Sequence, residues 1–169
     1  MTTTLVLGGA RSGKSAYAQN AAENAAIAER PVLIATGQAF DEEMAQRIAR
    51  HQADRGESWT TVEAHLDLAD AIDALPAGGV AVVDCLTLWL SNLILAGRDV
   101  EASATRLVEA VRSSTAQLWL VTNEVGLGVV PETPLGRRFR DEAGRLHQRL
   151  AQTVDEVYFV AAGLPLRMK

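Results

Sequence analysis

Eight residues near the start of the chain, Gly8-Gly9-Ala10-Arg11-Ser12-Gly13-Lys14-Ser15, place a lysine and a hydroxyl directly after a glycine-rich run. The spacing is GxxxxGK[ST]. Glycines let a backbone wrap close to an anion, so that successive N–H groups and the start of the next helix point at phosphate oxygens. Lys14 then reaches the outer phosphates of a nucleotide, and Ser15 offers its hydroxyl to Mg²⁺. The alternative is a glycine-rich turn that binds nothing, but TLVLG before the loop and helix-friendly residues after it supply the context a phosphate loop requires. Such a loop usually works with a carboxylate that ends another central strand, and Asp84 after VAVV has that position. Its rival role is to cap the helix beginning near Leu86.

A second candidate is His51, in DEEMAQRIARHQADR (41 to 55), a stretch opened by three acids suited to a helix N-terminus. Met44, Ile48, His51 and Arg55 share one helical stripe. Core-facing spacing makes His51 a buried structural histidine. Against that, Arg47, Arg50 and Arg55 lie within two turns of the ring, company that suits an anion site and would keep the imidazole neutral and nucleophilic. His65 reads as a loop or helix-start residue, and His147 borders the apolar stripe Leu135, Phe139, Leu146, Leu150 with a partly buried polar role. Cys85, the one cysteine, reads as a small buried residue at a strand end. Nothing has the spacing of a zinc site.

The elements that must carry these residues alternate along the chain. TLVLG (4 to 8), PVLIAT (31 to 36), VAVVD (80 to 84), LWLVT (118 to 122) and EVYFVA (156 to 161) are continuous apolar runs, as strands buried on both faces require. Helical patterns fall at about 14 to 29, 41 to 55, 66 to 75, 86 to 96, 100 to 114 and 134 to 152. EVYFVA and PLRMK can close as a hairpin about Gly163. The pattern predicts an α/β fold, a mostly parallel sheet flanked by helices, in one domain over residues 1 to 169. VGLGVVPETP (125 to 134) follows a strand, where ligand-binding loops of parallel sheets lie.

Composition narrows the partners. With 48% apolar and 22% charged residues in 169, the chain has the make-up of a globular protein. A net charge of −5 argues against a general nucleic-acid binder, which carries a broad basic face, while leaving room for a small anionic ligand in a local basic pocket. Neither a targeting segment nor a membrane span is legible, which predicts a cytoplasmic protein.

Together, GGARSGKS, EMAQRIARHQADR, SWTTVE, VVDCLTLWLSNL and VTNEVGLGVVPETPLGRRFRDEAGRLHQRLA resemble the bifunctional adenosylcobinamide kinase/adenosylcobinamide-phosphate guanylyltransferase family of cobalamin biosynthesis. The phosphate loop is shared with many NTPases; TNEVGxGxVP followed by RxFRDxxG is more specific. The resemblance implies a single P-loop NTPase domain and two reactions. ATP or GTP phosphorylates a hydroxyl of adenosylcobinamide; then a histidine attacks the α-phosphorus of GTP, carries GMP, and passes it to adenosylcobinamide phosphate to give adenosylcobinamide-GDP. By the resemblance the histidine is His51. Nucleotide contacts map to Gly8, Gly9, Ala10, Arg11, Ser12, Gly13, Lys14 and Ser15, to Ala35, Thr36 and Gly37, to Gln52, Ala53, Asp54 and Arg55, and to Glu63 and Asp84. It also implies Mg²⁺ held by Ser15 and Asp84, and a homotrimer. One departure is His147, where the family commonly has asparagine. The rival readings are a P-loop kinase of another small hydroxylated metabolite, with His51 structural, and a nucleotide-dependent binding module.

Overall fold

A computed structural model describes residues 1 to 27, 29 to 38 and 58 to 169. Its centre is a seven-stranded sheet: β1 (Thr3–Gly8), β2 (Val32–Ala35), β3 (Thr60–Glu63), β4 (Val80–Asp84), β5 (Gln117–Asn123), β6 (Glu156–Ala161) and β7 (Leu164–Arg167). The strands lie in the order β3-β2-β4-β5-β1-β6-β7. All neighbouring pairs are parallel except β6 with β7, the hairpin expected about Gly163.

Both faces of the sheet are covered at its central strands, which is why β1, β4 and β5 read as unbroken apolar runs. Successive side chains alternate faces. Thus Leu5, Leu7, Ile34, Val83, Leu118 and Leu120 join one core, and Val6, Leu33, Val82, Trp119 and Val121 the other. On the second face lies α1 (Lys14–Ala25), whose buried Ala18 and Ala22 leave room for close helix-to-sheet approach. The first face carries α2 (Leu68–Asp73), α3 (Leu86–Leu95), α4 (Val100–Ser113) and α5 (Pro134–Thr153), numbered over the described residues.

The helix ends follow ordinary rules. Asp99 caps α4 by accepting from the Ala102 N–H at 3.0 Å; Thr133 caps α5 through the Gly136 N–H at 3.1 Å, with Pro134 at the first helical position. Asp84 does not cap α3: the capping position belongs to Cys85, and no side-chain cap bond forms there.

One strand was not legible in the sequence. β3 is Thr-Thr-Val-Glu, all four residues exposed, so it lacks the apolar run that marks the others. Edge position explains this, since β2 pairs it on one side only and its β-branched residues suit a strand without needing burial. The helical stretch at 41 to 55 lies outside the described residues.

Candidate active site

Parallel pairing brings the carboxyl ends of β1 to β5 to one edge of the sheet, where ligands of such folds bind. Gly8 is level with Asn123, and Ala35 with both Asp84 and Glu63. Of the nucleotide contacts expected from sequence, those among the described residues gather at that edge, from the phosphate loop across to Glu63.

The phosphate loop leaves β1 at Gly8 and enters α1 at Lys14. Ser12 N–H turns back to Gly9 O at 3.2 Å, and the backbone passes through left-handed conformations at Arg11 (φ 55°) and Gly13 (φ 94°). Gly8 has no alternative residue on steric grounds: a Cβ there would meet Ser12 Oγ and Val160 O, each at 2.5 Å. Gly13 occupies the capping position of α1 without a side-chain cap, and the first turn holds no acid. The first N–H groups of α1 therefore stay available to an anion, with the positive end of the helix dipole behind them. Lys14 is only 7% exposed, and its ammonium donates to Gly9 O at 3.1 Å, so the cation is folded over its own loop.

Asp84 ends β4 two strands from β1, about 10 Å across at ordinary strand spacing. Its charge and that of Lys14 both reach Cys85. Burial pushes the Cys85 thiol up and the negative Asp84 adds to this, while hydrogen bonding with Thr87 and the Leu88 backbone, and then the Lys14 charge, oppose it. A buried, raised thiol is a poor nucleophile, in keeping with the packing role read for Cys85.

The end of β2 is tied to β4 by one buried side chain. Thr36 Oγ1 accepts from Cys85 N–H at 2.8 Å and donates to Cys85 O at 2.7 Å, while the Thr36 N–H donates to Asp84 O. Asn92 on α3, also buried, donates to Thr36 O at 2.8 Å and to His65 O at 3.0 Å. Sequence reading assigned Asn92 no role; the available signal was an amide inside the apolar helix LTLWLSNLIL. Beside this knot, a groove of about 480 Å³ is lined by Gln38, Glu63, His65 and Asp67. The Glu63 carboxylate is exposed and lies 3.5 Å from His65 Nε2.

At the end of β5, Asn123 Nδ2 donates to Thr87 Oγ1 at 2.9 Å and the Glu124 N–H to Gly8 O at 3.0 Å. Thr122 and His147 are buried partners, 2.7 Å from Oγ1 to Nε2, which joins α5 to the carboxyl end of β5. Burial lowers the His147 pKa, and the nearby Glu124 charge opposes that shift. Past β5, Leu127, Val129 and Val130 are exposed. Arg137 donates to Pro131 O and Glu132 O, bracing that loop, and Arg140 pairs with Asp141. Arg138 lines a separate cavity of about 590 Å³ that holds no phosphate-loop residue.

The structure thus brings together Gly8 to Ser15, Ala35, Thr36, Gly37, Glu63 and Asp84 at one edge. His51, Gln52, Ala53, Asp54 and Arg55 lie outside the described residues. Among the described residues no group of three or more His, Cys, Asp or Glu side chains could hold a metal on its own. Ser15 and Asp84 are both half-buried and supply hydroxyl and carboxylate oxygens, a donor set that fits Mg²⁺ only when nucleotide phosphate and water complete it. No helix among the described residues is long and apolar enough to cross a membrane.

Comparison with known proteins bears on this edge as a whole. Residues 4–168 match the family model of cobinamide kinase / cobinamide phosphate guanyltransferase. The bifunctional adenosylcobalamin biosynthesis protein CobP of Pseudomonas aeruginosa is 45% identical over 168 residues, covering 98% of this chain and 96% of that one. CobU of Salmonella typhimurium, with the same bifunctional description, is 39% identical over 184 residues, covering 98% of each. Among solved structures, the P4 protein of bacteriophage phi6 in complex with ADP superposes with a TM-score of 0.54 at 17% identity, over 98% of this chain and 54% of that one. A Pyrococcus horikoshii protein gives 0.57 at 10% identity, over 99% and 86%. These two likenesses speak to the fold.

Proposed function

Since the chain belongs to the cobinamide kinase / cobinamide phosphate guanyltransferase family, we infer that both reactions use the sheet edge built around the phosphate loop. The protein is a bifunctional enzyme, a kinase and a guanylyltransferase of adenosylcobalamin biosynthesis. The observation that carries the reading of the site is the loop itself. Its uncapped α1 terminus, its left-handed Gly13 and its inward-folded Lys14 form a cradle for a phosphate chain.

For the kinase step, the loop's N–H groups hold the β-phosphate, and Lys14 swings from Gly9 O onto the transferred phosphoryl group as charge builds there. Ser15 and Asp84 would hold Mg²⁺, which would neutralise phosphate charge. The acceptor is the hydroxyl of adenosylcobinamide, with ATP or GTP as donor. For the guanylyl step, His51 attacks the α-phosphorus of GTP, the P–O bond to pyrophosphate breaks, and a phosphoramidate to GMP forms. The phosphate of adenosylcobinamide phosphate then displaces the histidine. Dividing one displacement into two is the usual gain of covalent catalysis. Thr36, tied to both β4 and α3, fixes the neighbouring Ala35 and Gly37, and exposed Glu63 borders a groove of about 480 Å³ beside them. We assign these residues, with Gln52 to Arg55, to the GTP side of the site.

The functional unit of this reading is a homotrimer, an assignment that comes from the family resemblance; the exposed Leu127, Val129 and Val130 offer apolar surface for subunit contact. Incubation with GTP labelled at the α-phosphate tests the guanylyl step. Acid-labile, base-stable label on the protein, absent in His51→Ala, is the expected result. Label persisting in His51→Ala would assign the nucleophile elsewhere, and no label at all would favour a kinase without guanylyl transfer.

A further inference from the structure

The phosphate loop is gripped from an unexpected side, by the two residues that join β6 to β7. Ala162 (φ 51°) and Gly163 (φ 78°) are both left-handed, the conformation of a tight two-residue hairpin whose flanking residues, Ala161 and Leu164, pair directly. This tip lies against the loop. The Gly163 N–H donates to Ser12 O at 2.8 Å. A Cβ on Gly13 would lie 3.1 Å from Gly163 Cα, so two glycines meet at the contact. Val160, two residues before the turn, blocks any Cβ on Gly8 with its carbonyl. Between them Ser12 Oγ is buried without a hydrogen-bond partner among the described residues.

The bond to Ser12 O has a directional consequence. In a planar trans peptide the carbonyl and the following N–H point in opposite directions. Fixing Ser12 C=O toward the hairpin therefore turns the Gly13 N–H away from it, toward the open side of the loop, where successive amides converge on an anion. Gly13 is also the capping residue of α1, so the same bond sets where the helix terminus points.

We propose that the Ala162–Gly163 turn is a positioning element for nucleotide binding: its N–H holds the Ser12 carbonyl and thereby aims the Gly13 amide at bound phosphate. This rests on the loop being the nucleotide cradle. Gly163 acts through the loop and touches no reacting atom. The rest of the hairpin is anchored independently, since the Lys169 ammonium donates to Ala151 O and Val154 O at the end of α5. The turn is thus braced between a helix terminus and the phosphate loop.

The test separates this role from simple stability. No atom lies within 4 Å of a Cβ placed on Gly163, so the change at the backbone in Gly163→Val is a β-branched residue in a left-handed conformation. Gly97 has the same kind of backbone (φ 65°) and equally open surroundings, but lies between α3 and α4, away from the loop. Fluorescent ribose-labelled GTP and ATP are titrated with Mg²⁺ into wild type, Gly163→Val, Gly163→Asn and Gly97→Val, with thermal melts alongside. Gly163→Val is expected to weaken both nucleotides about tenfold, the worth of one well-aligned hydrogen bond. It should raise KM for nucleotide in both reactions more than it lowers kcat. Asparagine tolerates the left-handed region, so Gly163→Asn should recover most of the affinity, and Gly97→Val should shift melting alone. If Gly163→Val does not melt cooperatively, Gly163→Ala against Gly97→Ala gives the same comparison. Equal affinities in the paired variants would overturn the proposal. Lys14→Ala in the same titration keeps the two ideas apart: wild-type binding there would remove the loop reading itself, whereas weakened binding there beside normal Gly163→Val binding would remove only the role of the turn.

Discussion

The phosphate loop and the β2–β3 end of the same sheet edge hold their residues by different means. At the loop, backbone does the holding: Gly8 packs where no Cβ fits, Gly13 is left-handed, and Lys14 bends onto a carbonyl of its own loop. At the β2–β3 end, side chains do it, with the Thr36 hydroxyl joining two strands and the Asn92 amide joining a helix to both Thr36 and His65. The first arrangement suits phosphate, which is bound by many equivalent N–H groups. The second leaves an exposed carboxylate beside a groove, a surface on which distinct donors and acceptors can be told apart. A bifunctional nucleotide enzyme needs both a grip on phosphates and a way to discriminate what is attached to them.

The difference can be broken at either end. The largest effect belongs to Lys14→Ala, which removes the cation assigned to the transferred phosphoryl group. Cobinamide kinase turnover should fall by about 10²–10³-fold, as when a principal transition-state donor is lost. Wild-type turnover would take the loop out of the mechanism. Next comes Gly8→Ala, where the methyl group would meet the Val160 carbonyl and Ser12 Oγ. Overpacking of this kind costs about 1–3 kcal/mol, so a lower Tm with weaker binding of both nucleotides is expected in melts and titrations. Unaltered values would mean the loop has slack that the packing does not show.

Asn92→Ala sharpens the contrast from the other side. It leaves two carbonyls, Thr36 O and His65 O, short of a donor in a buried setting, at a cost of about 1–3 kcal/mol. KM for GTP in guanylyl transfer should rise more than KM for nucleotide in the kinase assay, because the disturbed end is the one assigned to GTP. Equal changes would argue against a division of labour along the edge. The smallest effect is the pH response of His147. Its pKa is below the ordinary 6.5 in the folded state, so the unfolded chain binds the proton first as pH falls. Stability should be full above about pH 6.5 and decline below it until the folded-state pKa is reached. His147→Gln should flatten that decline in a series of thermal melts, and an unchanged slope would assign the acid response to other groups.

How much of this was legible in the sequence follows the same contrast. The phosphate loop could be read because backbone constraints select residue types: a left-handed turn and a close approach demand glycine, at fixed spacing. Five strands were legible because burial on both faces writes continuous apolar runs, and β4 and β6 begin and end where those runs do. β3 was not, since an exposed edge strand imposes no such pattern. Asn92, His147 and Gly163 matter through partners 25 or more residues away, and no local pattern records that. Ala35, Thr36, Gly37 and Glu63 entered through family resemblance alone, because their placement depends on which strands become neighbours.

The central claim is that one phosphate loop serves both reactions. It is tested most directly by intact-mass spectrometry of wild type, His51→Ala and Lys14→Ala after brief exposure to GTP. The account predicts a covalent gain of one GMP on wild type, none on His51→Ala, and labelling of Lys14→Ala slowed at least about tenfold, the loss of one charge-assisted contact to phosphate. Lys14→Ala gaining GMP at the wild-type rate while its kinase activity is lost would contradict the claim and give the two reactions separate phosphate grips.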